Sequence, residues 1–194
     1  MSLGKQAKPL SKGQSEAVLG YLGNTRYPIR NRLIFLLSTK AGLRAREIAF
    51  LTWRMVTDAQ GAIGKAIVLQ NDASKGRSGR IIPLSEELRR ALGEWHQSIG
   101  TVPSGRVIQT ERSKQTSPQA IVNMFSRWYE EMGFDGCSSH SGRRTFITNA
   151  ARKISLVGGS LRDVQMLAGH SSLRVTQGYI DGEQDAQRRI VDLI

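Results

Sequence analysis

The apolar positions of this chain fall at helical spacing for most of its length and change to strand spacing once, near the middle. Ser11-Lys12-Gly13-Gln14 has the spacing of a capping box and predicts a helix to about Leu22. Pro28 opens a second helix to about Lys40, with Ile29, Leu33, Ile34, Leu36 and Leu37 as its buried stripe, and Gly42 stops it. A short helix follows from about Ala45 to Leu51. Then the period changes. Ala66-Ile67-Val68-Leu69 and Arg80-Ile81-Ile82-Pro83-Leu84 are short β-branched runs around a polar, glycine-containing turn, and they predict a hairpin. With a further strand expected at residues 52–56, the small antiparallel sheet has about three strands.

Helical spacing then returns. Ser85 caps a helix whose Glu86 and Glu87 suit its positive end and whose apolar face is Leu88, Leu92 and Trp95. Residues 100–116 read as a loop with a short strand at Val107-Ile108. Ser117-Pro118 opens a helix to about Met132, with Ile121, Val122, Phe125, Trp128, Tyr129 and Met132 turned inward. Further helices are predicted over about residues 140–153, from Ser160 to about Ala168, and from Ser171 or Ser172 to near Tyr179. A last amphipathic helix carries Ala186, Ile190, Leu193 and Ile194 on one face. The expected class is α+β, mainly α. It comprises a flexible basic lead at 1–10, one domain at 11–182 and a partner-docking helix at 183–194.

Composition narrows the partner. With 194 residues, 39% of them hydrophobic and 23% charged, the chain has the makings of one globular domain. Its 28 Lys and Arg against 16 Asp and Glu give a formal charge of +12, the balance of a domain that faces a polyanion. A single cysteine, Cys137, excludes an intramolecular disulfide or a cysteine zinc site and fits a cytosolic setting. No apolar run approaches the ~20 residues that span a membrane. The first ten residues are too polar for a secretory signal.

Candidate chemistry comes from a few scattered polar residues. Cleaving a phosphodiester without a metal requires fixed cations on the non-bridging oxygens, a nucleophile, and an acid for the leaving 5′ oxygen. Arginine suits the first task because its guanidinium stays charged and grips phosphate with two donors. Arg44 lies in Ala41-Gly42-Leu43-Arg44-Ala45-Arg46-Glu47-Ile48, and Arg143 in His140-Ser141-Gly142-Arg143. His140 and Arg143, three apart, share a helix face, whereas Arg144 is about 100° further round and is expected to point elsewhere. His170 and Tyr179 are nine apart, on opposite sides of any continuous helix. The Gly169 stop and the Ser171-Ser172 cap break that helix and let the two converge. Lys75, in the turn of the hairpin, is a candidate mobile acid. No Asp, Glu or His cluster has metal-ligand spacing, so neither metal nor cofactor is expected.

In order, these boxes resemble the tyrosine recombinases, the phage integrase family, over about residues 10–182. The matching stretches are Ala41 to Ile48, Ser74-Lys75-Gly76 leading into Arg80 to Leu84, His140-x-x-Arg143, and Leu167-Ala168-Gly169-His170 through Tyr179. The resemblance implies a helical DNA breaking and rejoining domain that acts through a 3′-phosphotyrosine, without metal or ATP. By position, Arg44 and Arg143 resemble the phosphate-clamping arginines and Lys75 the lysine that protonates the leaving oxygen. His140 resembles the histidine that supports proton transfer, His170 a phosphate hydrogen-bonder, Tyr179 the nucleophile, and Glu47 an acidic supporting residue. Gly142 and Arg144 depart from the pattern, which more often has an apolar residue and a histidine there. The N-terminal DNA-clamping domain common in the family is expected to be absent.

Each box taken singly is ordinary. A lone tyrosine at a helix end is usually packing, and hairpin lysines are usually solvated. Arg30, Arg32, Lys40, Arg77 and Arg144 are read as DNA contacts, to phosphate more than to bases. The resemblance implies double-stranded DNA as partner, a monomer when free and a homotetramer on paired sites. It also implies a cytoplasmic place of work and a bacterial, phage or plasmid source. Two alternatives remain: type IB topoisomerase-like rejoining, and a DNA-binding module that has lost its chemistry.

Overall fold

A computed structural model describes residues 6–71, 73, 79–100, 105–110, 115–179 and 191. Along the chain run α1 (Lys12–Gly23), α2 (Pro28–Ala41) and α3 (Ala45–Phe50), then strands β1 (Ala66–Leu69) and β2 (Arg80–Pro83). After them come α4 (Glu86–Ser98), α5 (Pro118–Glu131), α6 (Ser141–Lys153), α7 (Leu161–Ala168) and α8 (Leu173–Gln177). The architecture is mainly helical with one small antiparallel sheet, the expected class.

The helix ends follow the capping chemistry legible in the sequence. Ser11 and Gln14 form the reciprocal capping box of α1, and Ser85 and Ser117 accept from the backbone of α4 and α5. Gly42 ends α2 and Gly169 ends α7, both in the left-handed region at φ 63° and 62°.

α2 is the axis of the core. Leu33, Ile34, Phe35, Leu36 and Leu37 are all buried, so the middle of the helix, residues 33–39, is enclosed on every side, not along one stripe. It packs against α1, α4 and α6, while α3 packs on α5. Ile29, expected in the buried stripe, is instead 39% exposed, while Arg30 and Asn31 of the same turn are buried. α6 crosses α2 closely at Gly142. A Cβ there would overlap the Ser38 side chain, with Ser38 Cβ at 2.8 Å. The glycine that departs from the family pattern is thus a close-packing residue.

β1 and β2 pair antiparallel with Ile67 opposite Ile82 and Val68 opposite Ile81. Ile67, Leu69 and Ile82 face the core, while Val68 and Ile81 face out. The expected third strand does not form. Residues Trp53–Met55 make a 3-10 turn, and only an isolated bridge joins Thr52 to Arg106. Trp53 is completely buried there, and the turn is what delivers it inward. Val107 and Ile108 are likewise buried without extending that bridge into a strand.

A smaller cluster, Ile147, Val164 and Ala168 with Phe146, Leu161 and Tyr179 against it, lies apart from the main core and joins α6, α7 and α8. The expected flexible lead is docked over its described part. Lys8 N donates to Gly136 O at 2.9 Å, Leu10 N donates to Thr145 Oγ1 at 2.7 Å, and Leu10 is buried. Of the expected terminal helix, Ala186, Ile190, Leu193 and Ile194 lie outside the described residues.

Candidate active site

The site forms at the seam between the main core and the smaller cluster. Arg143, in the first turn of α6, is 2% exposed. Its Nη1 donates to Gly42 O and its Nη2 to Ala168 O, both at 2.6 Å. Those carbonyls end α2 and α7, where helices leave acceptors unsatisfied and carry partial negative charge. One guanidinium therefore ties together the two parts of the molecule that meet at the site. Burial, then the charge of Arg44, pushes Arg143 down to about 10, which still leaves it cationic at neutral pH.

Arg44 stands just before α3, and its backbone N–H is held by Glu47 Oε2 at 2.8 Å. Its Nη1 donates to Glu47 Oε1 at 3.0 Å. Glu47 is fully buried and also receives Arg80, Nη1 at 2.9 Å and Nη2 at 3.1 Å. Burial alone would raise the Glu47 carboxyl. The Arg80 and Arg44 donors outweigh it and hold the group below its ordinary value. Arg80 also donates from Nε to Leu167 O at 2.8 Å, in the last turn of α7. Sequence alone does not single out Arg80. The signal that could have found it is strand alternation, since Arg80 shares its face with the inward Ile82.

His170 follows directly on Gly169, and Tyr179 follows α8. The expected break in the helix is present, and the two rings stack with centroids 5.3 Å apart and planes 24° apart. His170 is pushed down to about 4, first by burial and then by the charges of Arg143, Arg44 and Arg80. It is therefore neutral at physiological pH. Its Nδ1 lies 2.9 Å from Thr176 Oγ1. Tyr179 is half-buried, its backbone N–H donating to Thr176 O at 3.1 Å.

A cleft of about 520 Å³ opens beside this pair, lined by His140, Arg143, Arg144, Arg174 and Tyr179. His140 is the exposed residue that precedes α6. Arg144, expected to point away, lines the same cleft, with its guanidinium carbon 5.6 Å from the centre of the Tyr179 ring. The reason is that Tyr179 arrives on a separate segment and covers that side of α6. Arg144 also bonds Gln6 of the docked lead. Arg174, on α8, was no more conspicuous in the sequence than any surface arginine.

The chain belongs to the phage integrase family. Its family model matches residues 8–185. Tyrosine recombinase XerC of Shewanella oneidensis is 29% identical over 186 residues, covering 92% of this chain and 57% of that protein. Tyrosine recombinase XerD of Pseudomonas aeruginosa is 29% identical over 207 residues, covering 100% of this chain and 64% of that one. The chain thus spans less than two thirds of the length of these curated relatives. Among solved structures, XerA recombinase superposes with a TM-score of 0.75 at 21% identity, over 97% of this chain and 65% of that one. XerH bound to a palindromic difH substrate gives 0.75 at 18%, over 97% and 53%. These likenesses fix the fold as the phage integrase catalytic fold.

Within that fold, Arg44, Glu47, Arg143, His170 and Tyr179 lie together, and His140 shares the cleft. Lys75 and Arg77 lie outside the described residues. Arg30 does not suit the open phosphate contact expected of it. It is 7% exposed, lies 4.4 Å over the Tyr27 ring, and donates to Asn31 Oδ1. Arg32 and Lys40 are exposed and pair with Glu87 at 3.8 and 2.9 Å. Among the described residues, no three His, Cys, Asp or Glu side chains are grouped to hold a metal, and no helix is long and apolar enough to cross a membrane.

Proposed function

We propose that this domain breaks and rejoins duplex DNA as a site-specific tyrosine recombinase. The stacking of His170 on Tyr179, beside Arg143 in a cationic cleft, carries the reading. Tyr179 Oη attacks the scissile phosphorus, the Tyr179–phosphate bond forms, and the bond to the 5′ oxygen breaks. The phenolic proton leaves with help from His140, and Lys75 protonates the departing 5′ oxygen. Arg44 and Arg143 bind the non-bridging oxygens, where charge grows toward the transition state. His170, neutral, adds a hydrogen bond to the same phosphate.

A 5′-hydroxyl from a partner strand then attacks the phosphotyrosine and regenerates Tyr179. The covalent link conserves the energy of the broken bond, so ATP has no part. The net charge of +12 draws the phosphate backbone of the substrate to the protein. Exchange between two duplexes uses four tyrosines, so four copies act on paired sites and the free chain is a monomer. The names of the relatives, tyrosine recombinase XerC and XerD, agree with a recombinase, and the bacterial cytoplasm is the proposed place of work.

The test is strand exchange between two labelled duplexes that carry candidate sites. Recombinant-length products support the reading. Relaxation of supercoils with rejoining of the original strands, and no exchange, would replace it with a topoisomerase.

A further inference from the structure

The hydroxyl of Thr176 is fully buried within one turn of the nucleophile and faces a histidine instead of the backbone. Three other threonines in or beside helices bond their own backbone, while Thr148 in α6 donates to Tyr179 O at 3.4 Å. Thr39, Thr57 and Thr145 each donate to the carbonyl four residues back, at 3.0, 2.9 and 2.8 Å. That is the usual bond for a threonine in or beside a helix. Thr176 makes no such bond. Among the described residues, its hydroxyl has one hydrogen-bond partner, His170 Nδ1 at 2.9 Å.

A buried hydroxyl has to place its proton on an acceptor, because an unsatisfied donor costs the full desolvation of the group. The acceptor within reach is His170 Nδ1. A nitrogen that accepts carries no proton, so the proton of a neutral ring sits on Nε2. We propose that Thr176 is a positioning residue that donates to His170 Nδ1, fixes the Nε2–H tautomer and so presents a hydrogen-bond donor to the substrate phosphate. This rests on the proposed DNA-cleaving function.

Three further features agree. Nε2 of His170 has no hydrogen-bond partner among the described residues, so its proton is available to a ligand. Gln165 Nε2 donates to His170 O at 3.0 Å and fixes the backbone beneath the ring. The low proton affinity of the imidazole, caused by burial and the neighbouring arginines, keeps it neutral, so the tautomer is what matters. Thr176 therefore acts on both partners of the stacked pair. Its side chain sets the histidine, and its carbonyl receives the N–H of Tyr179 at 3.1 Å.

Long-range nitrogen–proton NMR on the full chain reads the ring directly, and with 3 histidines the signals separate. Wild type should show His170 Nδ1 unprotonated and Nε2 protonated at neutral pH. Thr176→Val should lose that fixed tautomer and lower the single-turnover rate of adduct formation about tenfold, the effect of losing one hydrogen bond of ordinary strength. DNA affinity should be unchanged, and Thr176→Ser should restore both tautomer and rate. A wild-type Nδ1–H tautomer overturns the proposal, as does a Thr176→Val protein that keeps the wild-type rate. If Thr176→Val does not fold, a Thr176→Ser protein lacking the Nε2–H tautomer overturns it instead. The ring measurement needs no DNA. A chain with the stated tautomer that forms no adduct therefore counts against the proposed function and leaves the hydrogen bond standing.

Discussion

Glu47 receives both terminal nitrogens of Arg80, at 2.9 and 3.1 Å, in a site where the carboxylate is fully buried and the arginine side chain is 6% exposed. The pair joins β2 to α3, and Glu47 then holds the backbone and side chain of Arg44. Arg80 also grips Leu167 O, so the same guanidinium reaches the segment that presents His170. The position of Arg44, proposed to bind phosphate, thus depends on a strand residue to which no chemical step is assigned.

Glu47→Gln should destabilise the protein by about 3–5 kcal/mol, the cost of leaving a buried charge without its partner. Urea unfolding measures it. Replacing Glu47 and Arg80 together by apolar residues should cost less than the sum of the single changes, as expected for groups in one network. Additive effects would mean that the two do not act as a unit.

Gly142→Ala should destabilise by about 1–3 kcal/mol, because the added methyl meets the Ser38 side chain where α6 crosses α2. Trimming the neighbour, Ser38→Gly, should recover part of the loss. The thermal melts of the single and double variants decide it. A neutral Gly142→Ala would show that the helices can move apart freely.

Much of the fold was legible because its signals are local. The capping boxes, the Gly42 and Gly169 stops and the Pro118 start each act within a few residues, and those helix ends fall where expected. The convergence of His170 and Tyr179 was legible for the same reason, since a helix stop and a cap lie between them. What depends on distant neighbours was not legible. The exposure of Ile29, the turn at Trp53 in place of a strand, and the all-round burial of residues 33–39 in α2 follow from packing. Arg80 looked like the polar start of a strand, and its role needs Glu47, 33 residues away, to be seen beside it. Helix angles alone sent Arg144 the wrong way, because they say nothing of where α8 would lay Tyr179.

His170 should titrate with a midpoint near 4, well below the ordinary 6.5 of histidine. The folded state binds the proton less readily than the unfolded chain. This group's stabilisation is therefore complete above 6.5 and is lost as pH falls toward about 4. An NMR titration of the ring gives the midpoint. A value at or above 6.5 would mean that burial and the neighbouring arginines do not bear on the ring as described.

Arg143→Ala should damage fold and chemistry together. Its guanidinium closes the ends of α2 and α7 through Gly42 O and Ala168 O, so its loss leaves two buried acceptors without a donor. A cost of about 2–5 kcal/mol is expected from hydrogen bonds of a charged group to buried partners. Arg143→Lys should recover little, since one ammonium cannot span both carbonyls in the same geometry. Chemical denaturation with DNA absent separates this from any effect on cleavage. A variant as stable as wild type would remove the structural half of the role.

The central claim is that Tyr179 becomes covalently joined to DNA. The decisive measurement is trapping on a nicked duplex carrying candidate sites, with the adduct separated under denaturing conditions and its tyrosine located by peptide mapping. Wild type should form the adduct, with DNA attached at Tyr179, and should do so in the presence of EDTA. Tyr179→Phe should bind the same duplex and form none. An adduct on Tyr179→Phe, or DNA found on Tyr21, Tyr27 or Tyr129, would contradict the account.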